Sequence, residues 1–122
     1  MELAPGLRAS ITREVTETMT AVSLGSGDVP VLGTPAVLAL MEEAACAAVA
    51  GALGDGATSV GTRVELDHVA PSKVGTTVEA VATLTGVDGR TISFECEARE
   101  GERVVARASH RRVIVDRERF LA

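Results

Sequence analysis

The longest helical signal in the chain is TPAVLALMEEAACAAVAGALG, Thr34 to Gly54. It is rich in Ala, Leu and Met, all strong helix formers. Pro35 disfavours helical dihedrals at Thr34 and is comfortable at the first helical position, so Thr34 is expected as the N-cap and Gly54 as the stop. A helix this apolar on most of its faces is expected to be enclosed by the rest of its chain. It is too short, too Ala-rich and too charged for a membrane span. Glu42 and Glu43 sit in its middle, and neither lies on an obvious solvent face.

The segments around it supply the enclosure. SITREVTETMTAV (10–22) alternates and reads as a half-exposed strand, followed by a glycine-rich loop over 23–33. ATSVGTRVELDHVA (57–70), TTVEAVATLTGV (76–87), RTISFECEARE (90–100) and RVVARASHRRVIVD (103–116) are rich in Val, Thr and Ile with period-two stretches, and read as strands. Asp88-Gly89 and Glu100-Gly101 mark tight hairpins, and APSKVG (70–75) a looser turn. The order is strand, long helix, four antiparallel strands. This predicts one α+β domain over residues 1–122, with a long central helix wrapped by an antiparallel sheet of about five strands. That is the composition of the hotdog fold, which an unrelated α+β sandwich would share. Such a unit leaves a sheet edge open, and pairing two copies edge to edge predicts a homodimer or a dimer of dimers.

Composition narrows the partners. The chain has 122 residues and a net charge of −5, with Phe94 and Phe120 as its only aromatics. Nucleic acid is therefore not expected, for want of both positive charge and a stacking platform. Cys46 and Cys96 have no metal-ligand spacing and form no disulfide framework, so no metal or other cofactor is expected. Together with an N-terminus that lacks the apolar core of a signal peptide, they predict a reduced, cytoplasmic setting.

Three residues stand out as candidates for chemistry. A glutamate within an apolar helix either solvates along a wet helix edge or is a carboxylate held in a partly dry cleft as general base or nucleophile. Glu42 shares its face with Leu38, Ala45, Cys46 and Val49. His68 closes a strand just before a turn, on the same side as Val64 and Leu66; strand ends hold ordinary packed histidines and also active sites. Thr34 offers a hydroxyl at the positive end of the helix. Thr34 and Glu42 are eight residues apart, about 12 Å along an ideal helix, so a direct bond would require the chain to fold back over the first turns. Glu43 shares its face with Ala36, Ala39, Ala47 and Ala50 and is open to the same two readings, whereas His110 carries no such marker and reads as structural.

GTPAVLALMEEAA, VGTRVELDHVAPSKVG and ASHRRVIVDRERF together resemble the fluoroacetyl-CoA thioesterase and its relatives in the hotdog superfamily, over about residues 33–120. The shared signature is a threonine eight residues before the glutamate of an L-M-E triplet, and a histidine in an H-x-A-P turn twenty-six residues after it. The resemblance implies hydrolysis of an acyl-CoA thioester at a homodimer interface. Thr34, Glu42 and His68 would form the catalytic set, with Thr34 orienting Glu42 and the Gly61 N–H holding the carbonyl oxygen. Arg63, Lys73, Arg111, Arg112 and Arg119 are candidates for the CoA phosphates, and Arg112 matches a family arginine. The stretch before the helix, SLGSGDVPVLG, lacks the aromatic lid of the fluoroacetyl-selective enzyme, so fluoroacetyl selectivity is not expected. The alternatives are a hotdog module that binds acyl-CoA without turnover, as a sensor or carrier, and an enoyl-CoA hydratase-type enzyme.

Overall fold

The computed structural model describes all 122 residues. Five strands, β1 (Arg8–Glu14), β2 (Ala57–His68), β3 (Thr77–Asp88), β4 (Thr91–Glu100) and β5 (Arg103–Asp116), form one antiparallel sheet in the order β1-β3-β4-β5-β2. The central helix α2 (Thr34–Val49) lies across one face of this sheet. Two short helices, α1 (Ala21–Leu24) and α3 (Arg117–Leu121), flank the ends. This is the hotdog arrangement that the element order predicts.

The helix buries Val37, Leu40, Met41, Ala44, Ala45, Ala48 and Val49, a three-four spacing that faces the sheet. Opposite it, every second residue of β3 and β4 points inward: Val78, Ala80, Ala82 and Leu84, then Ile92, Phe94, Cys96 and Ala98. Many contacts on both sides are alanine, which lets the helix sit close to the sheet without bulky side chains. Truncating Met41, 1% exposed, is expected to cost about 2–5 kcal/mol. The outward helix face is only partly polar, and it leaves Ala39, Cys46, Ala47 and Ala50 exposed beside Glu43.

Both predicted hairpins close on a glycine with positive φ: Gly89 at +60° after Asp88, and Gly101 at +61° after Glu100. Three boundaries differ from expectation. The first strand ends at Glu14, and residues 17–24 form a 3-10 turn and α1. Here Thr20 competes with the strand ladder: its hydroxyl accepts from Ser23 N and donates to the Glu17 carbonyl. At the start of α2 the cap is Gly33, and Thr34 is already helical. A Cβ on Gly33 would meet the Ala21 backbone at 3.1 and 3.2 Å, so the chain crosses there too tightly for a larger residue. Lastly, α2 ends at Val49, five residues before Gly54.

The loop before α2 is less free than its glycines suggest. Ala21 N bonds to the Val31 carbonyl, Gly33 N to the Met19 carbonyl and Leu32 N to the Ser72 carbonyl, each at 2.8–2.9 Å. Its base is therefore pinned to the core, and Leu32 is only 1% exposed.

Candidate active site

Glu42 projects from the middle of α2 toward β2 and β5. Its Oε2 accepts from Arg112 Nη1 at 3.1 Å, and its side chain stays 39% exposed. Arg112 is 6% exposed, and it is anchored again on β2, where Nε donates to Ser59 Oγ at 2.8 Å and Nη2 to the Ser59 carbonyl at 3.0 Å. The burial argues against the phosphate-binding role expected for Arg112. A guanidinium that serves a carboxylate, a serine hydroxyl and a backbone carbonyl inside the protein has no face left for a phosphate in solvent. Among the other basic candidates, Arg63 pairs with Glu65 at 2.6 Å, while Lys73, Arg111 and Arg119 are exposed and form no ion pair.

Gly61 explains itself sterically. A Cβ there would stand 2.5 Å from Glu42 Oε2, and 3.3 Å from both Arg112 Nη1 and His110 Cε1. The carboxylate, the guanidinium and the imidazole therefore converge on the one β2 position that has no side chain.

His110 is the participant that residue-by-residue reading missed. It lies 3.1 Å from Arg112 Nη1 through Nε2 and 2.9 Å from the Arg63 carbonyl through Nδ1. The signal was available in alternation: His110 and Arg112 are two apart on β5 and so share its inner face.

The second group sits at the other end of α2. Thr34 Oγ1 lies 2.8 Å from His68 Nδ1, and no hydrogen bond joins Thr34 to Glu42. Within the chain Thr34 therefore bonds His68 and not Glu42, because α2 is helical from Thr34 onward and keeps Thr34 and Glu42 about 12 Å apart. Burial of the His68 ring lowers its pKa below the usual 6.5, partly offset by the Ala70 backbone carbonyl, which favours a ring N–H. Its Nε2 is buried without a partner. Glu43, one residue on from Glu42, makes an exposed ion pair with Arg13 at 2.6 Å and belongs to the scaffold.

Gly61 and His68 are seven residues apart on one strand, a spacing that would normally face them in opposite directions. The ladder between β2 and β5 slips between Gly61 and Arg63, with Thr62 as the extra residue. This bulge restores the parity, so both residues face the helix. Even so, they remain about 20 Å apart along the strand. Each chain thus carries two separate groups of candidate residues, one around Glu42 and one around His68.

Residues 15–118 match the family described as fluoroacetyl-CoA-specific thioesterase. The chain is similar to the fluoroacetyl-CoA thioesterase of Streptantibioticus cattleyicolor, with 34% identity over 92 residues, covering 75% of this chain and just under two thirds (66%) of that enzyme. Among solved structures, the fluoroacetyl-CoA thioesterase superposes with a TM-score of 0.93 at 28% identity, covering 99% of this chain and 94% of that one. A point mutant of that enzyme in complex with fluoroacetate and CoA gives 0.90 at 28%, covering 97% and 99%. A thioesterase superfamily member from Thermus thermophilus shares the fold, with a TM-score of 0.89 at 24% identity over 97% of this chain and 88% of that one.

Proposed function

The chain belongs to the fluoroacetyl-CoA-specific thioesterase family, and on that premise we propose that it hydrolyses an acyl-CoA thioester to the free acid and CoA. The observation that carries this reading is Glu42: a carboxylate with a solvent-accessible side, fixed by a buried arginine against a glycine backbone. Glu42 takes the proton from a water that attacks the thioester carbon, and that proton passes to the thiolate as the C–S bond breaks; or Glu42 attacks the carbon itself, the C–S bond breaks to a mixed anhydride, and water then cleaves that anhydride, giving the acid and the proton that completes CoA. Gly61 N–H holds the carbonyl oxygen as it gains charge. His68, kept unprotonated near neutral pH by burial, serves as a base through its unpartnered Nε2, with Thr34 fixing the ring from the other side.

One site needs Glu42 and His68 together, and within one chain they are apart. We infer that the working unit is a homodimer in which β2 pairs antiparallel with its copy, since β2 is an open edge of the sheet. With the bulge counted, a twofold axis close to Glu65 sets Gly61 opposite the partner's His68 on the helix side. The exposed alanines of α2 gain cover in the same assembly.

The test is hydrolysis across an acyl-CoA panel, with free thiol as the readout. Saturable turnover supports the reading, and binding without thiol release supports a sensor or carrier instead. Mixing Glu42→Ala and His68→Ala chains tests the composite site. Random reassociation should restore about a quarter of wild-type activity, because half of the dimers are mixed and each mixed dimer holds one intact site. If each site were built within one chain, the mixture would stay inactive.

A further inference from the structure

We propose that His110 is a positioning residue for this reaction, locking the β2 bulge and the Glu42 carboxylate into one unit. The inference rests on the hydrolytic reading above. His110 is 3% exposed on β5, opposite Val64, with the Phe94 ring 6.1 Å away. Its two ring nitrogens meet an acceptor and a donor at hydrogen-bond distance, while Glu42 Oε2 lies 3.8 Å from Nε2, too far for such a bond. The Arg63 carbonyl can only accept, so Nδ1 must carry the hydrogen; Arg112 Nη1 can only donate, so Nε2 must be the bare, accepting nitrogen. A proton on Nε2 would oppose the guanidinium and leave the carbonyl unpaired.

These two bonds connect the two halves of the Glu42 site. Arg63 is the residue at which the β2 ladder resumes after the bulge, so a bond to its carbonyl fixes the backbone just beyond Gly61. The Arg112 nitrogen held by His110 is the one that donates to Glu42. A core position needing only volume would take an apolar side chain, because burying an imidazole without partners is costly. Here both nitrogens are matched, and both matches lead to the site. The ring therefore sets the distance between the Gly61 backbone and the Glu42 carboxylate, a spacing that governs how a carbonyl carbon is presented to its attacker.

The test combines kinetics with a measurement that needs no activity. His110→Leu removes both bonds and keeps an apolar side chain; it should lower kcat by about tenfold to a hundredfold, with KM changed less than about threefold. In a Glu42→Gln background the same substitution should change the residual rate less than about twofold, because there is no longer a carboxylate to position. An equal loss in both backgrounds would show a general structural role and overturn the proposal. Nitrogen-15 spectra of the wild-type imidazole should show the proton on Nδ1 with Nε2 bare, and a proton on Nε2 would overturn it independently of whether the variant folds. A wild-type protein inert on every acyl-CoA would overturn the hydrolytic reading and the positioning role with it, while the spectra would still decide whether the bridge exists.

Discussion

Gly61 and Glu42 meet so closely that a methyl group on the glycine would stand 2.5 Å from the carboxylate oxygen. The displaced atom would be the far end of a flexible side chain, so the conflict is relieved by moving Glu42 rather than the backbone. Gly61→Ala is thus expected to leave the melting temperature within a few degrees of wild type while cutting kcat at least about tenfold, since a misplacement of about 1 Å suffices for such losses. Unfolding curves beside steady-state rates check this. A large stability loss with unchanged activity per folded molecule would contradict it.

Neighbouring glutamates should behave very differently. Glu42→Ala is expected to lower hydrolysis about a hundredfold or more, the scale of a positioned acid or base. Glu43→Ala removes only a half-exposed pair with Arg13, and such pairs contribute about 0–1 kcal/mol. Its rate should stay within about threefold of wild type. Essential behaviour at Glu43 would place the site on the wrong helix face.

The Thr34–His68 contact predicts a graded series. Thr34→Ser keeps a hydroxyl for Nδ1 and should retain most activity, whereas Thr34→Val, similar in shape, should lose about tenfold or more. Equal rates for the two variants would mean that the bond is idle.

His68 also predicts a pH dependence of stability. Its folded-state pKa lies below 6.5, so the unfolded chain binds more protons in the window between the two values. Stability is therefore full above about pH 6.5 and declines as pH falls toward the folded pKa. Thermal midpoints from pH 8 to 5 should show less acid loss in His68→Gln than in wild type. A steeper acid loss in the variant would reverse the assigned direction.

Acyl selectivity should be broad. Beside the start of α2 runs a groove of about 370 Å³, bordered by Met19, Leu24, Pro35, Ala36, Ala39 and Leu40 with no aromatic residue. The loop before α2 is pinned at its base, and its Leu24, at the groove's border, and Val29 both stay exposed to solvent. Without a wall that closes on the acyl carbon, an added methylene is discriminated by only about 1–3 kcal/mol. Specificity constants for fluoroacetyl-, acetyl- and hexanoyl-CoA should lie within about a thousandfold. A larger fluoroacetyl preference would require a lid from another part of the assembly.

The sequence by itself determined the order of elements, because the relevant signals are local. Alanine-rich helical periodicity marked α2, alternating Val, Ile and Thr marked the four later strands, and the Asp-Gly and Glu-Gly pairs marked both hairpins. It also marked Glu42 and Glu43 as acids within an apolar helix and His68 at a strand end, and the spacing shared with the thioesterase family chose Glu42 between the two acids. Where local competition was finer, as at Thr20 and Gly33, hydroxyl bonding and close backbone approach moved the boundaries. Only the tertiary structure decided who meets whom. Arg112 and Glu42 are 70 residues apart, and nothing in the spacing says that the arginine turns inward to the carboxylate rather than outward to a phosphate. Within the chain Thr34 meets His68 instead of Glu42 because α2 is helical from Thr34 onward. His110 takes part because the β2 bulge brings the Arg63 carbonyl within reach of its ring. Such contacts depend on the register between distant strands, a long-range property that a single sequence encodes only through the packing of the whole domain.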